Sequence, residues 1–252
     1  MSKKPKYTII IPAYNEEKFI GSTLDKLREF LKSNGTLHQA EIIVVTADSP
    51  DKTAEIVKSK AKLFPTFKFI EPGRRIGKGR DVREGIMAAK GQYILFTDAD
   101  LATPLRHITS AWQQLKSGSD MVIGERDIKK INRQFHRGFG AFISIAGNRL
   151  ARLLVGSGIA DTQCGFKAFN RKAAKLIFPK LTITGWSFDM EAIVIAKQSG
   201  LKISHIPIGD WRENKPYELQ LAGDNRLISA FQSFMDLLRI KLNLLRGRYR
   251  PH

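Results

Sequence analysis

A single cysteine, Cys164, stands in 252 residues. One thiol excludes an internal disulfide and points to a reducing compartment. With no His/Asp constellation near it, Cys164 reads as a buried free thiol. The histidines His38, His107, His136, His205 and His252 show no metal-ligand spacing, and His205, set in a strand, reads as structural. No apolar run reaches the ~20 residues needed to span a bilayer. The basic start Met1–Lys6 is followed only by Tyr7–Pro12, too short a run for a signal peptide. Internal repeats and low-complexity stretches are missing as well. Acids are scarce: 24 Asp and Glu face 42 Lys and Arg, a formal net charge of +18. Such an excess implies a polyanionic neighbour (nucleic acid, an anionic membrane face or a phosphorylated substrate), unless it merely solvates the surface. Helix-turn-helix, zinc and RNA-recognition signatures are all lacking, which weighs against a nucleic-acid-binding protein.

What is there is a regular alternation. Strand Tyr7–Pro12 precedes a helix capped by Asn15, with Glu16 and Glu17 in its first turn and Ile20, Leu24, Leu27 and Leu31 on one face. Strand Glu41–Thr46 leads through Asp51-Lys52-Thr53 into a helix with Ile56, Lys60 and Leu63. Strand Phe67–Glu71 follows, and Gly77-Lys78-Gly79 opens a helix with Val82, Ile86 and Ala89 inward. Strand Tyr93–Thr97, a helix through Leu105, Ile108, Trp112 and Leu115, and strand Asp120–Gly124 complete the run. This is the α/β pattern of a doubly wound, mostly parallel sheet with flanking helices.

Beyond Gly124 lies a basic run with Arg126, Lys129, Lys130, Arg133 and Arg137, then an amphipathic helix from Phe139 to Leu154. A short strand near Gly165–Asn170, a helix after Arg171, a helix opened by Trp186–Glu191 and a strand Lys202–Pro207 come next. The last helix sets Leu227, Phe231, Phe234, Leu238, Leu242 and Leu245 on one stripe and ends in Arg246-Gly247-Arg248-Tyr249-Arg250. It carries Asp236, Arg239 and Lys241, so it lies in an interface or packs on the core rather than spanning. The expected organisation is one α/β domain over residues 1–222 and an amphipathic basic helix and tail over 223–252. Two basic amphipathic helices together with the +18 charge favour an anionic membrane surface as partner.

Ligands of such sheets bind beyond the strand carboxyl ends. Four polar loops converge there: Pro12 to Glu16, Thr46 to Ser49, Glu71 to Lys78, and Asp98 to Asp100. Strand side chains alternate faces, so Asp98 and Asp100 should point the same way past the carboxyl end of their strand. Paired carboxylates call for a hard divalent cation, which leaves positions for diphosphate oxygens. Arg74, Arg75 and Lys78 add positive charge to the rim; a solvated loop accounts for the arginines equally well. Gly77-Lys78-Gly79 is not a Walker loop, because GxxxxGK[ST] is absent.

The segments Ile9-Ile10-Ile11-Pro12-Ala13-Tyr14-Asn15-Glu16-Glu17, Gly77-Lys78-Gly79, Gly91 through Asp100, and Asp161-Thr162-Gln163-Cys164-Gly165-Phe166-Lys167 are individually weak. In this order and spacing the chain resembles a family 2 glycosyltransferase of the GT-A fold, in the dolichyl-phosphate glucosyltransferase and mannose synthase group. Asp98-Ala99-Asp100-Leu101-Ala102-Thr103-Pro104 is similar to the glucosyltransferase branch, the mannose synthases having Gln at the place of Ala102. The resemblance implies a nucleotide-sugar donor, UDP-glucose rather than GDP-mannose. It places the nucleoside on Pro12, Ala13, Tyr14, Asn15 and Glu16, with Arg75, Lys78 and Ala99 nearby. Asp98 and Asp100 are then the catalytic and metal residues, holding Mg²⁺ or Mn²⁺. The family's Asp-Asp-Gly-Ser after the second strand is here Thr46-Ala47-Asp48-Ser49, so Asp48 is expected to stand in for the base-reading acid. Arg126 and Arg137 are expected to clamp the phosphate of a polyprenyl-phosphate acceptor, and Arg212 to close over the donor. A hydroxyl acceptor would need a general base, for which Asp189 is the candidate; Glu191 belongs to the helix dipole. The expected activity is inverting hexose transfer at the cytoplasmic face of a membrane. A soluble transferase acting on a saccharide or protein hydroxyl is the alternative.

Overall fold

The structure, a computed structural model, describes residues 4–127, 161–212 and 226–250, with 226–231 as backbone only. Arg137, the expected helix at 139–154 and most of the basic run lie outside the described residues.

Strand β1 (Tyr7–Pro12) is buried at every position, as a central strand covered on both faces must be. It pairs in parallel with β2 (Ala40–Val45) and β4 (Tyr93–Thr97), and β2 pairs in parallel with β3 (Phe67–Ile70). The sheet has seven strands in the order β3-β2-β1-β4-β6-β5-β7, with β5 Met121–Arg126, β6 Phe166–Asn170 and β7 Ile203–Ile208. Six run parallel. β6 is inserted antiparallel between β4 and β5.

Alternating side chains divide the core in two. Ile9, Ile11, Ile42 and Val44 pack with Leu24 and Leu27 of α1 (Ile20–Ser33), Val57 of α2 (Thr53–Lys60), and Ile108 and Trp112 of α4 (His107–Lys116). Ile10, Ile43, Val45 and Phe96 pack with Val82 and Ile86 of α3 (Lys78–Ala88) on the opposite face. That face also takes α5 (Arg171–Ile177), α6 (Phe188–Gln198) and α7 (Arg226–Leu245).

One expectation about the helices is corrected. Asn15 does not cap α1: it sits at φ 58°, and the helix starts at Ile20 with no side-chain cap. The backbone N–H groups of this loop find tertiary partners instead. Asn15 N–H donates to Ser49 Oγ (2.9 Å), Glu16 N–H to Thr53 Oγ1 (2.8 Å) and Glu17 N–H to Asp51 Oδ2 (3.0 Å). These bonds sew the β1–α1 loop to the β2–α2 loop. In α7 the packed residues are Leu237 and Ile240, whereas Phe234, Leu242 and Leu245 of the Leu-rich stripe are exposed and Leu238 is half-buried. Among the described side chains, the stripe faces outward at Phe234, Leu242 and Leu245.

Candidate active site

β4 ends at Thr97, so strand alternation does not carry through the acidic pair. The chain turns instead: Leu101 N–H bonds Asp98 O (3.2 Å), and Leu101 takes φ 53°. Asp98 and Asp100 are therefore aimed by a turn and not by a pleat. Asp98 Oδ1 accepts from Lys78 Nζ at 2.5 Å. Asp100 is half-buried and its Oδ1 accepts the Ala102 N–H (3.0 Å). Ala99, between them, turns into the core, and its carbonyl takes the Thr23 hydroxyl (2.5 Å).

Lys78 is the hub. It occupies the first turn of α3, where Gly77 and Gly79 let the helix press against the loop leading into α6. A Cβ on Gly79 would lie 2.7 Å from Phe188 Cβ, and one on Gly77 would collide with the Thr184 carbonyl. Its ammonium also lies 5.2 Å from the Trp186 ring centroid. Burial disfavours the Lys78 charge, but Asp98, Asp189 and Asp100 together raise its pKa above the ordinary lysine value.

Beneath this cluster lies a cation that the sequence reading passed over. Lys167, on β6, is fully buried; it bonds the Cys164 carbonyl (2.7 Å) and pairs with Asp189 Oδ1 at 2.9 Å. Burial raises the Asp189 pKa, while Lys167 and Lys78 oppose the rise. Asp189 thus faces two lysines inside the protein rather than solvent. A lone lysine inside the apolar run Phe166–Phe169 was the available signal, since lysine is almost never fully buried without a partner. Gly165 carries a second missed signal: a Cβ there would fall inside the Asp98 carboxylate.

The remaining expected residues spread around the same edge. Pro12 and Ala13 are buried at the end of β1, while Tyr14 and Asn15 reach the surface. The Arg75 guanidinium stacks 4.0 Å over the Tyr14 ring, bringing two expected donor residues together. Glu16 is buried and Asp48 exposed. Arg212 is exposed, and its N–H bonds the Ala102 carbonyl (3.0 Å), which ties it to the turn after Asp100. Arg126 is held by Asp161 through Nε (2.6 Å) and Nη2 (3.0 Å), with its guanidinium over Trp211. Burial works against both charges, yet the pair raises Arg126 and holds Asp161 below the usual carboxylate range. Cys164 is buried, and burial pushes its thiol up to about 11, the pKa of an inert thiol. Among the described residues, no group of three His, Cys, Asp or Glu could hold a metal unaided.

Residues 8–178 match the family described as Glycosyl transferase family 2. The chain belongs to that family. Among its family 2 relatives, the dolichyl-phosphate beta-glucosyltransferase ALG5A of Trichomonas vaginalis is 34% identical over 225 residues, covering 86% of this chain and 68% of that protein. The dolichyl-phosphate beta-glucosyltransferase of Saccharomyces cerevisiae is 33% identical over 272 residues, covering 97% of this chain and 77% of that protein. The fold is shared with glucosyl-3-phosphoglycerate synthase from Mycobacterium tuberculosis, solved with UDP, at a TM-score of 0.65 and 19% identity over 95% of this chain and 80% of that one. The α/β class and mostly parallel sheet expected of a GT-A glycosyltransferase are therefore found.

Proposed function

We propose that this family 2 glycosyltransferase moves glucose from UDP-glucose to a polyprenyl phosphate of the dolichyl kind, with Mg²⁺ or Mn²⁺, at the cytoplasmic face of an anionic membrane. The observation that carries the reading is the Lys78–Asp98–Asp100 cluster at the carboxyl end of β4. Support for the sugar and acceptor comes from relatives named as dolichyl-phosphate glucosyltransferases. Support for the donor and metal comes from the glucosyl-3-phosphoglycerate synthase solved with Mn²⁺, UDP-glucose and phosphoglyceric acid.

The residues fit a metal shared with substrate. Two carboxylates, one already paired with a lysine, make an incomplete donor set, and diphosphate oxygens and water supply the rest of a hard cation's shell. In this reading Asp98 and Asp100 would hold it, Asp100 half-exposed and Asp98 sharing its carboxylate with Lys78. When bound, the ion neutralises charge on the departing UDP. Lys78 supplies fixed positive charge beside the same diphosphate, already oriented by Asp98 and Trp186.

An acceptor phosphate oxygen attacks the anomeric carbon, the carbon–oxygen bond to UDP breaks, and the configuration inverts. A phosphate is ionised near neutral pH and needs no general base. That suits Asp189, which is paired with Lys167 and acts here as a fixed counter-charge to Lys78. In the acceptor role, Arg126 offers Nη1, since Asp161 occupies its other two nitrogens; Arg137 joins it in the same proposal. Residues 1–222 form the catalytic unit, and 223–252 supply membrane contact.

The deciding assay incubates the protein and Mg²⁺ with polyprenyl phosphate and either UDP-glucose or GDP-mannose, and identifies the glycolipid by mass spectrometry. Glucosyl-phosphoryl-polyprenol is expected. Asp100→Asn should lower turnover by about three decades, the size of a lost metal contribution of several kcal/mol, with an unchanged circular dichroism spectrum. Near-normal turnover in that variant would remove Asp100 from the metal site.

A further inference from the structure

Asp81 lies early in α3 with 4% of its surface exposed, and its Oδ1 is buried with no hydrogen-bond partner. A carboxylate in that state is costly, and native proteins keep few of them without a use. Its place follows from its own helix. Asp81 and Gly85 are four residues apart on one face, and a Cβ on Gly85 would touch Ile10 (2.5 Å) and Val45 (3.1 Å) of β1 and β2. One helical turn is about 5.4 Å, and helical side chains lean toward the helix N-terminus. As the crossover between parallel strands β3 and β4, α3 runs against the strand direction. Asp81 therefore reaches the level of the carboxyl ends of β1 and β2, where Pro12 and Thr46 sit. The Thr46 hydroxyl at that end is likewise buried without a partner.

Its charged surroundings tie it to the nucleoside loop. Burial pushes Asp81 up to about 6; Arg80 and Arg75 oppose the rise and Glu84 adds to it. Arg75 is the residue stacked on Tyr14, and Arg80 braces the 72–74 loop through the carbonyls of Pro72 and Arg74. Tyr14, Arg75 and Asp81 thus form one group. Asp48, the acid expected to read the base, is exposed instead.

We propose that Asp81 is the base-reading residue of the donor site, its carboxylate accepting the N3–H of uracil. The proposal rests on the nucleotide-sugar reading above and adds a specificity determinant to it. A carboxylate acceptor suits a base with a ring N–H and disfavours cytosine, whose N3 is a bare acceptor that would face the carboxylate lone pairs. Sites built around such a hydrogen bond discriminate strongly against an analogue lacking the donor.

The test is calorimetric binding of UDP and CDP, each with Mn²⁺ at pH 8, to the wild type, Asp81→Ala and Asp81→Asn, with a thermal melt of each protein. The wild type should bind UDP at least about tenfold tighter than CDP. Asp81→Ala should lose most of that ratio by weakening UDP, with a melting temperature equal to or above wild type, because an unpartnered buried charge has been removed. Asp81→Asn can present either its carbonyl or its amide, and should bring the ratio near one by gaining CDP affinity. A ratio unchanged in both variants, or a wild type indifferent to the base, overturns the role of Asp81 and leaves the donor reading standing. A wild type that binds neither nucleotide overturns both.

Discussion

Gly165 and Asp98 define the tightest constraint in the site. Asp98 must come close to β6 to present Oδ1 to Lys78, and the volume its other oxygen needs is the volume of a side chain at position 165. Gly165→Ala should therefore displace the Asp98 carboxylate, break its alignment with Lys78 and lower kcat/KM for UDP-glucose by about a hundredfold or more. Overpacking of this kind should also cost about 1–3 kcal/mol in urea unfolding. The double variant Gly165→Ala/Asp98→Ala separates the two effects, because shortening residue 98 relieves the clash without returning the carboxylate. Stability should recover while activity stays lost. Recovery of both would mean that the Asp98–Lys78 pair has no part in turnover. Lys167 and Asp189 obey a related logic one layer deeper: a buried charge pair is tolerated where each partner is satisfied, and here the pair also sets the potential felt by Lys78.

Among the elements, α7 shows how remote sequence can hold the site in place. Glu191, fully buried in α6, accepts from Thr182 N–H (2.8 Å), Thr182 Oγ1 (2.6 Å), Ile183 N–H (2.7 Å) and the Tyr249 hydroxyl (2.7 Å). Asn243 of α7 donates to both the Thr182 and Tyr249 oxygens. The loop so fixed continues to Thr184, whose carbonyl takes the Arg80 N–H (3.2 Å), and to Trp186 beside Lys78. Tyr249→Phe removes one of four donors from a buried carboxylate and should destabilise the protein by about 1–3 kcal/mol, read by urea unfolding. It should also weaken UDP binding, since the loop that braces the start of α3 loses an anchor; unaltered affinity would show that the brace ends at Ile183. None of this could be read from composition. The strands were legible because fully buried parallel strands are short apolar runs, and Asp98, Asp100 and Lys78 were legible because topology sends strand ends and helix starts to one edge. The start of α1 was not, because the N–H groups of Asn15, Glu16 and Glu17 find Ser49, Thr53 and Asp51 more than thirty residues away. Nor was the inner face of α7: Leu237 lies one residue from Leu238 of the Leu-rich stripe and Ile240 two residues from Leu242, about 100° and about 160° around the helix.

For the molecule as a whole, that offset leaves an apolar stripe outside. Phe234, Met235, Leu242 and Leu245 are exposed on a helix already seated by Leu237, Ile240 and the adjoining Tyr249, so the core does not need them. Exposed Arg239, Arg246, Arg248 and Arg250 accompany the stripe, in a chain of net charge +18. None of the described helices is long and apolar enough to cross a bilayer. If the protein meets a membrane as proposed above, a seated helix with apolar side chains outward and arginines among them suits an interfacial element, which anionic headgroups would draw at roughly 1 kcal/mol per basic residue and shallow apolar insertion would hold. The protein should cosediment with phosphatidylglycerol vesicles at low salt, less with phosphatidylcholine vesicles, and progressively less as salt rises. Leu242→Asp/Leu245→Asp should cut cosedimentation by about tenfold or more, by removing apolar contact and adding repulsion, while the melting temperature stays within a few degrees of wild type. Turnover of a short, water-soluble prenyl phosphate should be unchanged in that variant, and turnover of a long polyprenyl phosphate in vesicles should fall with binding. Equal binding by wild type and variant would mean that the outer face of α7 does not meet the bilayer, and that the positive charge alone carries any attraction.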